Sequence, residues 1–339
     1  MVETSLWLDS GDGTRLFIRR WSPRGGEMRG VVHLVHGMAE HSGRYGFFAE
    51  KLCAAGFELW AADQRGHGKT ADPGKNDPGR GGLLGHTSDE DGFFRVVRDI
   101  SVINRRIAST FAEEGAVLPP FFIMGHSWGS FLVQAFIESP EVSVKKASPP
   151  LAGAAPPAGT IPLTGAILSG TRGPGSLEVA FGAPFLRALA ALKGPRRVSR
   201  LAVALSFGSY NRPFRPNRSV FDWLSRDEER VDSYIEDPLC GKLCSSGFFR
   251  DMIGGLRAIH RKTAIRSVPA DLPVYIFCGS ADPVGSMGTG PTKLVNAYRA
   301  NGMRDLEFVI YPDARHEPLN ETNREEVIED LLKWLSRHS

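Results

Sequence analysis

The apolar residues of this chain occur in two kinds of segment, short continuous runs and longer stretches with helical spacing. The first 22 residues predict a β-hairpin, in which "SLWL" and "RLFIRRW" are the strands and "GDG" supplies the turn. Short apolar runs bounded by Gly or by polar residues predict buried strands. Such strands are predicted at 30–37, 121–124, 164–170, 273–279 and 306–312, and at the start of 57–68, where a strand runs into a Gly-rich loop.

Helices are predicted between these strands. From 90 to 113, apolar residues recur at alternating steps of three and four: Phe93, Val96, Ile100, Ile103 and Ile107. The other helices are predicted at 42–55, with Ser42 as the cap, and at 128–138, 290–301 and 323–336. Strands that alternate with helices indicate an α/β fold, here a mostly parallel eight-stranded sheet with helices on both faces.

The spacing of the strands also predicts an insertion. A crossover between parallel strands needs only about a dozen residues, whereas roughly 100 lie between the strand at 164–170 and the next one. We therefore predict a core formed by residues 1–171 and 269–339, and an inserted helical cap formed by residues 172–268. The Pro/Ala-rich segment at 147–159 is predicted to be a loop within the core.

The predicted cap differs from the core in composition. It contains 17 Lys and Arg against 9 Asp and Glu, which makes it basic while the remainder is acidic. Its apolar stretch 177–192 places Phe181, Phe185, Leu189 and Leu192 on one helical face, and a second apolar run follows at 201–208. Two interpretations stay open: these faces dock the cap on the core, or they line an acyl-binding pocket and contact lipid.

Composition and charge narrow the class of protein. The chain has 339 residues, of which 42% are hydrophobic and 23% charged, as is typical of soluble globular proteins. Its net charge of +3 gives no reason to expect a nucleic-acid partner. There is no run of 18 apolar residues and no signal-peptide pattern. We expect a cytoplasmic protein, which could still associate with a membrane surface through its cap.

The cysteines do not predict a disulfide framework. Four of them, Cys53, Cys240, Cys244 and Cys278, are few for so long a chain, so a reduced compartment is expected. Cys240 and Cys244 have C-x3-C spacing, but the nearest histidine along the chain is His260, and a zinc site would need further ligands. We therefore expect neither a metal ion nor a cofactor.

One short motif carries candidate chemistry. The sequence "GHSWG" follows the strand predicted at 121–124 and fits G-x-S-x-G, the pattern that places a nucleophilic serine on a sharp strand-to-helix turn. This motif predicts Ser127 as a nucleophile. Because a lone match to so short a pattern is weak, its partners must support it.

Serine needs a general base, and the base needs an orienting acid. In this type of site the acid and then the histidine follow the serine, in loops at the carboxyl ends of later strands. The loop after the next-to-last predicted strand, "GSADPVG", contains Asp282, and the loop after the last strand, "DARHEPLNE", contains His316. Asp313 is an alternative acid, because it lies in the same loop as His316. Asp282 is favoured, because it lies three residues after the end of a predicted strand.

An oxyanion hole is predicted from backbone amides. One donor is the residue after the nucleophile, here Trp128, and the other follows an earlier strand. "HLVHGM" at 33–38 is such a place, and it makes the amide of Met38 the second candidate donor.

Five motifs in this order resemble the monoacylglycerol lipase and lysophospholipase branch of the α/β-hydrolases. They are "HGMAEHSGRY" at 36–45, "DQRGHGKT" at 63–70, "GHSWGS" at 125–130, "GSADPVG" at 279–285 and "RHEPLNE" at 315–321. Residues 211–241 of the cap are similar to bacterial members. The resemblance implies the α/β-hydrolase fold and the same assignment of Ser127, Asp282, His316, Met38 and Trp128.

We accordingly expect a serine hydrolase that cleaves small-molecule lipid esters, of monoacylglycerol type, without a cofactor. A lysophospholipase is the first alternative, because the basic cap could attract a phosphate headgroup. An amide- or peptide-cleaving enzyme and a non-catalytic receptor on the same fold are further alternatives. An epoxide hydrolase or dehalogenase is disfavoured, because it would need Asp in place of Ser127.

Overall fold

The structure is a computed structural model that describes residues 1–144, 161–175, 177–198 and 208–339. The loop predicted at 147–159 and all but the last residue of the apolar run predicted at 201–208 lie outside the described residues.

A single large sheet organises the core, in the strand order β1-β2-β4-β3-β5-β8-β9-β10. Its strands are β1 Val2–Asp9, β2 Arg15–Ser22, β3 Gly30–Val35, β4 Phe57–Asp63, β5 Phe121–His126, β8 Gly165–Ser169, β9 Val274–Gly279 and β10 Leu306–Tyr311. The β2 strand pairs antiparallel with β1 and β4, and the other pairings are parallel. The prediction of a mostly parallel eight-stranded sheet is confirmed.

A second, two-stranded parallel pair lies outside this sheet, β6 Val142–Val144 and β7 Ile161–Leu163. This pair was not predicted from the sequence, because strands of three residues are too short to establish a period. The described helices are α1 Gly46–Ala54, α2 Gly92–Glu113, α3 Trp128–Ile137, α4 Leu177–Lys193, α5 Glu228–Glu236, α6 Ser246–Ile259, α7 Lys262–Ser267, α8 Thr289–Ala300 and α9 Arg324–His338.

Apolar side chains cover both faces of the sheet. On one face, α1 and α9 contribute Leu52 and Trp334 to a core that includes Phe122 of β5. On the other face, α2 and α3 contribute Ile103 and Leu132. Because both faces of the central strands are buried, β3, β4, β5, β8 and β9 are buried along their whole length, and their sequences are therefore nearly continuous apolar runs.

The start of the helix predicted at 42–55 was wrong. A 3₁₀ turn occupies Ser42–Tyr45, and α1 begins only at Gly46. The side chain and amide of Ser42 both donate to the carboxylate of Asp63, and Ser42 Oγ accepts Arg19 Nη1 at 2.6 Å, so this serine does not cap a helix. His41 caps the 3₁₀ turn instead, since its Nδ1 accepts the amide of Gly43.

The segment between β8 and β9, here called the cap, contains the helices α4 to α7. The single apolar face predicted for α4 is only partly correct: Leu189 is buried, but Phe185 is 41% and Leu192 86% exposed. The buried stripe is instead Ala183, Leu186, Leu189 and Ala190, which packs towards α6. The side chain of Phe181 lies outside the described residues.

Within the described part of the chain, no helix has both the length and the apolar character that crossing a membrane would require.

Candidate active site

Ser127 lies on a sharp turn between β5 and α3. Its backbone has φ +53° and ψ −123°, a conformation that a residue with a side chain rarely adopts, and its amide donates to the carbonyl of Ser169 at 2.9 Å. The turn brings Gly129 against β3 so closely that a Cβ there would overlap the carbonyl oxygen of Val35. Glycine is therefore required at this position for the serine to reach the sheet edge.

The structure brings three of the predicted residues into one hydrogen-bonded chain. His316 Nε2 lies 2.7 Å from Ser127 Oγ, and His316 Nδ1 lies 2.9 Å from Asp282 Oδ1. Asp282 is fully buried and His316 is 2% exposed. The alternative acid, Asp313, is exposed and is not part of this series of hydrogen bonds. With Nδ1–H donating to Asp282, His316 Nε2 is free to accept the Ser127 hydroxyl proton.

The surroundings of His316 favour its protonated form. Burial lowers the pKa of the imidazole, but the charge of Asp282 and its hydrogen bond, together with the charges of Glu317 and Glu40, outweigh burial and raise the pKa above its usual value. The neighbouring His126 differs, since burial lowers its pKa to about 4. Of these two histidines, only His316 therefore lies in surroundings that favour the protonated imidazolium.

The two predicted oxyanion donors lie beside Ser127. Trp128 is the first residue of α3, where an amide has no acceptor within its own helix. Met38 and Ser127 line the same cavity. A Cβ on Gly37, the residue before Met38, would lie 3.2 Å from Ser127 Cβ, so the backbone of this loop approaches the serine closely.

The loop at 36–40, here called the oxyanion loop, is held by several hydrogen bonds. His36 Nδ1 donates to the carbonyl of Gly37 at 2.7 Å, and its Nε2 accepts the amide of Gln64 at 3.0 Å. Burial lowers the pKa of His36, which keeps it neutral as these two bonds require. The amide of Gly37 donates to Glu40 Oε1 at 2.5 Å.

Two groups of the cap reach the same loop. Ala39 has a strained φ of +56°, and its carbonyl accepts the Tyr234 hydroxyl at 3.0 Å and the Gly241 amide at 2.9 Å. Tyr234 could not be identified from the sequence, because its hydrogen-bond partner is a backbone atom 195 residues away.

The cap also contacts the loop that carries His316. The amides of His316 and Glu317 donate to the carbonyls of Trp223 and Leu224, at 3.3 and 2.8 Å. The Trp223 ring lies 5.1 Å from the His316 ring, measured between ring centroids. The cap therefore packs directly on the residues that form the site.

A cavity of about 570 Å³ opens over Ser127. The core contributes apolar side chains such as Phe131 and Val284, and the cap contributes Phe185, Leu186 and Leu256. A cavity of this size and lining suits an apolar chain that ends at a polar reacting group.

One group of side chains has the composition of a metal site. The potential ligand atoms of His41, Asp237 and Cys240 all lie within 4.8 Å of one another. Both nitrogens of His41 are already engaged, one accepting the Gly43 amide and the other bonded to Asp237 at 2.8 Å. Burial raises the pKa of the Cys240 thiol, which disfavours the thiolate that a metal would need. The contacts fit a hydrogen-bonded link between core and cap better than a metal centre.

The sequence profile of a hydrolase family described as serine aminopeptidase, S33, matches residues 26–323. The chain belongs to this family. It is similar to a monoacylglycerol lipase of Mycolicibacterium smegmatis, with 28% identity over 96% of this chain and 94% of the relative. The predicted membership of the α/β-hydrolases is therefore confirmed.

Solved structures agree with this family. A thermostable carboxyl esterase from Bacillus coagulans, in complex with glycerol, superimposes with a TM-score of 0.83 at 24% identity, over 99% of both chains. A soluble variant of monoglyceride lipase from Saccharomyces cerevisiae superimposes with a TM-score of 0.72 at 21% identity, over 100% of this chain and 96% of the other. These likenesses show the α/β-hydrolase fold. The family and the curated relatives confirm the prediction of a carboxylic ester hydrolase.

Proposed function

We propose that this protein hydrolyses carboxylic esters of lipids, of monoacylglycerol type, through an acyl-enzyme on Ser127. The observation that carries the proposal is the hydrogen-bonded chain from Ser127 Oγ through His316 to Asp282 at the floor of an apolar cavity. The name of the mycobacterial relative supports the monoacylglycerol class.

In the proposed reaction, His316 Nε2 accepts the proton of Ser127 as Oγ attacks the ester carbonyl. The amides of Met38 and Trp128 bind the oxyanion that develops on the carbonyl oxygen. His316 then gives the proton to the departing alcohol, and a water molecule deprotonated by the same imidazole releases the fatty acid from Ser127. Asp282 keeps the proton on Nδ1 and stabilises the imidazolium.

A lysophospholipase is the second candidate, because a basic side chain is among those that line the cavity. Lys242 of the cap is exposed and borders the cavity, where an ammonium group would attract a phosphate headgroup. Exposed apolar residues of the cap, Leu192 and Val220 among them, would allow transient contact with a membrane surface during substrate uptake.

An aminopeptidase, the activity that the family description names, fits the cavity less well. Such an enzyme binds the ammonium group of its substrate through a carboxylate. The carboxylates on the described lining of the cavity are Glu40 and Glu317, and both are paired with Arg44. Neither is free to bind a substrate amine.

The test is a substrate panel of p-nitrophenyl esters from C2 to C16, a monoacylglycerol, lysophosphatidylcholine and an aminoacyl p-nitroanilide. We expect wild type to prefer monoacylglycerol and Ser127→Ala to lose about 10⁴-fold or more in kcat. Ser101→Ala, a buried serine of α2 away from the cavity, is the matched control and should keep wild-type turnover.

Each other outcome has a definite meaning. Preference for lysophosphatidylcholine would select the second candidate, and preference for the anilide would select an aminopeptidase. If Ser127→Ala kept its turnover, the acyl-enzyme proposal would be wrong. If wild type cleaved nothing in the panel, a non-catalytic receptor would become the better explanation.

A further inference from the structure

An arginine beneath the site bridges two carboxylates. Arg44 Nη1 lies 2.8 Å from Glu40 Oε2 and 2.8 Å from Glu317 Oε1, and Nη2 lies 2.7 Å from Glu317 Oε2. The Arg44 side chain is only 11% exposed, and both carboxylates are buried. The ring of Tyr234, from the cap, covers the guanidinium at 4.8 Å.

The two carboxylates belong to the two loops that must meet for the proposed reaction. Glu40 ends the oxyanion loop, and its Oε1 accepts the Gly37 amide at 2.5 Å and the Tyr45 hydroxyl at 2.9 Å. Glu317 follows His316 directly in the chain and also accepts Asn320 Nδ2 at 2.8 Å. Arg44 is therefore the side chain through which these two carboxylates are joined.

Arg44, Glu40 and Glu317 are all charged at neutral pH, although all three side chains are largely buried. Burial raises the pKa of Glu40 and of Glu317, but the charge of Arg44 and further nearby groups outweigh burial and lower both pKa values below their usual range. For Arg44, the charges of Glu317 and Glu40 outweigh burial and raise its pKa. All three side chains are thus ionised in the folded protein.

Stability alone is a poor reason to bury such a triad. Replacing a buried ion pair or triad by well-packed apolar side chains is often neutral or stabilising, because the desolvation of the charges offsets their attraction. The triad does fix the orientation of the two carboxylates relative to each other, because a planar guanidinium bonds carboxylates in a fixed fork geometry.

We propose that Arg44 is a positioning residue, which through Glu40 and Glu317 fixes the oxyanion loop relative to His316. The inference rests on the proposed function, since it concerns the geometry of that reaction. An error of about 1 Å in such a site costs on the order of 10²-fold in rate. Loss of the bridge should therefore lower kcat, while the apolar cavity that binds the acyl chain, and hence KM, is unchanged.

The experiment compares Arg44→Met with Arg65→Met. Arg65 is a matched control because it is also buried and also pairs with two carboxylates, Asp12 and Asp99. Unlike the two carboxylates that Arg44 joins, Asp12 and Asp99 do not line the cavity. Two readouts are measured besides Tm: kcat and KM on a p-nitrophenyl ester, and the rate at which a fluorophosphonate labels Ser127. The second readout needs no knowledge of the natural substrate.

We expect both variants to lose stability, but only Arg44→Met to lose about 10–10²-fold in kcat and in labelling rate, with KM within about threefold of wild type. Arg44→Lys keeps the charge but cannot bond both carboxylates through a fork, so its rates should be reduced as well. In the triple variant Glu40→Gln, Arg44→Met, Glu317→Gln, no buried charge of the triad remains, so stability should recover while the rates stay low.

The inference is overturned if Arg44→Met is labelled at the wild-type rate, or if the triple variant recovers its rate together with its stability. Should Arg44→Met fail to fold, Arg44→Lys decides in the same way, and a wild-type labelling rate overturns the inference. If wild type itself is not labelled at Ser127, the proposed function is wrong. If wild type is labelled and Arg44→Met is labelled equally fast, only the inference about Arg44 is wrong.

Discussion

The loops at the carboxyl edge of the sheet and the helices of the cap enclose the same cavity, but they contribute different groups. The core loops supply the polar chain of Ser127, His316 and Asp282. The cap supplies apolar lining, as from Leu186 and Leu256, and hydrogen bonds to the backbone of the core loops. We infer that the core determines which bond is cleaved, whereas the cap determines which substrate fits and holds the loops in place.

The strongest test of this division lies in the core. Asp282→Asn should lower kcat about 10⁴-fold, because an amide cannot keep the proton on His316 Nδ1 or stabilise the imidazolium. Asp313→Asn is the control, since Asp313 is the competing acid in sequence but is exposed in the structure. Steady-state kinetics on one ester decides between them. A large loss in Asp313→Asn with an active Asp282→Asn would reverse the assignment.

The core was largely predictable because its signals are local. Each central strand is a nearly continuous apolar run, and the three candidate side chains lie shortly after β5, β9 and β10, which are close together in the sheet with only β8 between β5 and β9. Parallel strands place their carboxyl ends at one edge, so the order Ser127, Asp282, His316 was enough to predict that these residues meet.

The parts of the site that sequence did not predict depend on long-range contacts. Glu40 and Arg44 were visible only as part of a family motif, and their partner Glu317 is 273 residues beyond Arg44. The contacts of Tyr234 and Trp223 with the core involve backbone carbonyls, which have no sequence signature. The period of α4 indicated an amphipathic helix and placed Leu189 on the buried face, but it also placed Phe185 and Leu192 there, which are exposed.

A substitution in the cap should change selectivity without abolishing activity. Leu186 lines the cavity from α4, so Leu186→Trp should lower kcat/KM for a C16 ester about 10–10²-fold while turnover of a C2 ester stays near wild type. Leu189→Trp is the control, because Leu189 is buried on the same helix but does not line the cavity. Equal losses on both esters would indicate that the cap acts on the chemistry rather than on substrate fit.

The smallest expected effect concerns the seam between core and cap. Glu138, at the end of α3, borders a groove that α6 and α7 close from the cap side, and its Oε1 has no hydrogen-bond partner among the described residues. Burial raises the pKa of this carboxyl to about 9. The folded protein therefore keeps Glu138 protonated at neutral pH, whereas the unfolded chain releases this proton above the usual glutamate pKa of about 4.5.

Because the unfolded state binds fewer protons between these two values, this group should lower stability progressively as pH rises from about 4.5 to about 9. Glu138→Gln keeps the shape of the side chain and removes the titration. It should raise the free energy of unfolding by about 1–3 kcal/mol at pH 7, with a gain that shrinks towards pH 4 and leaves kcat unchanged. Urea unfolding at pH 4, 7 and 9 measures this dependence, and Glu141→Gln in the same groove is the control, because the Glu141 carboxylate is paired with Arg105 at 3.3 Å. A gain that did not vary with pH would mean that the carboxyl of Glu138 is ionised in the folded protein, and that the seam between core and cap tolerates a buried charge.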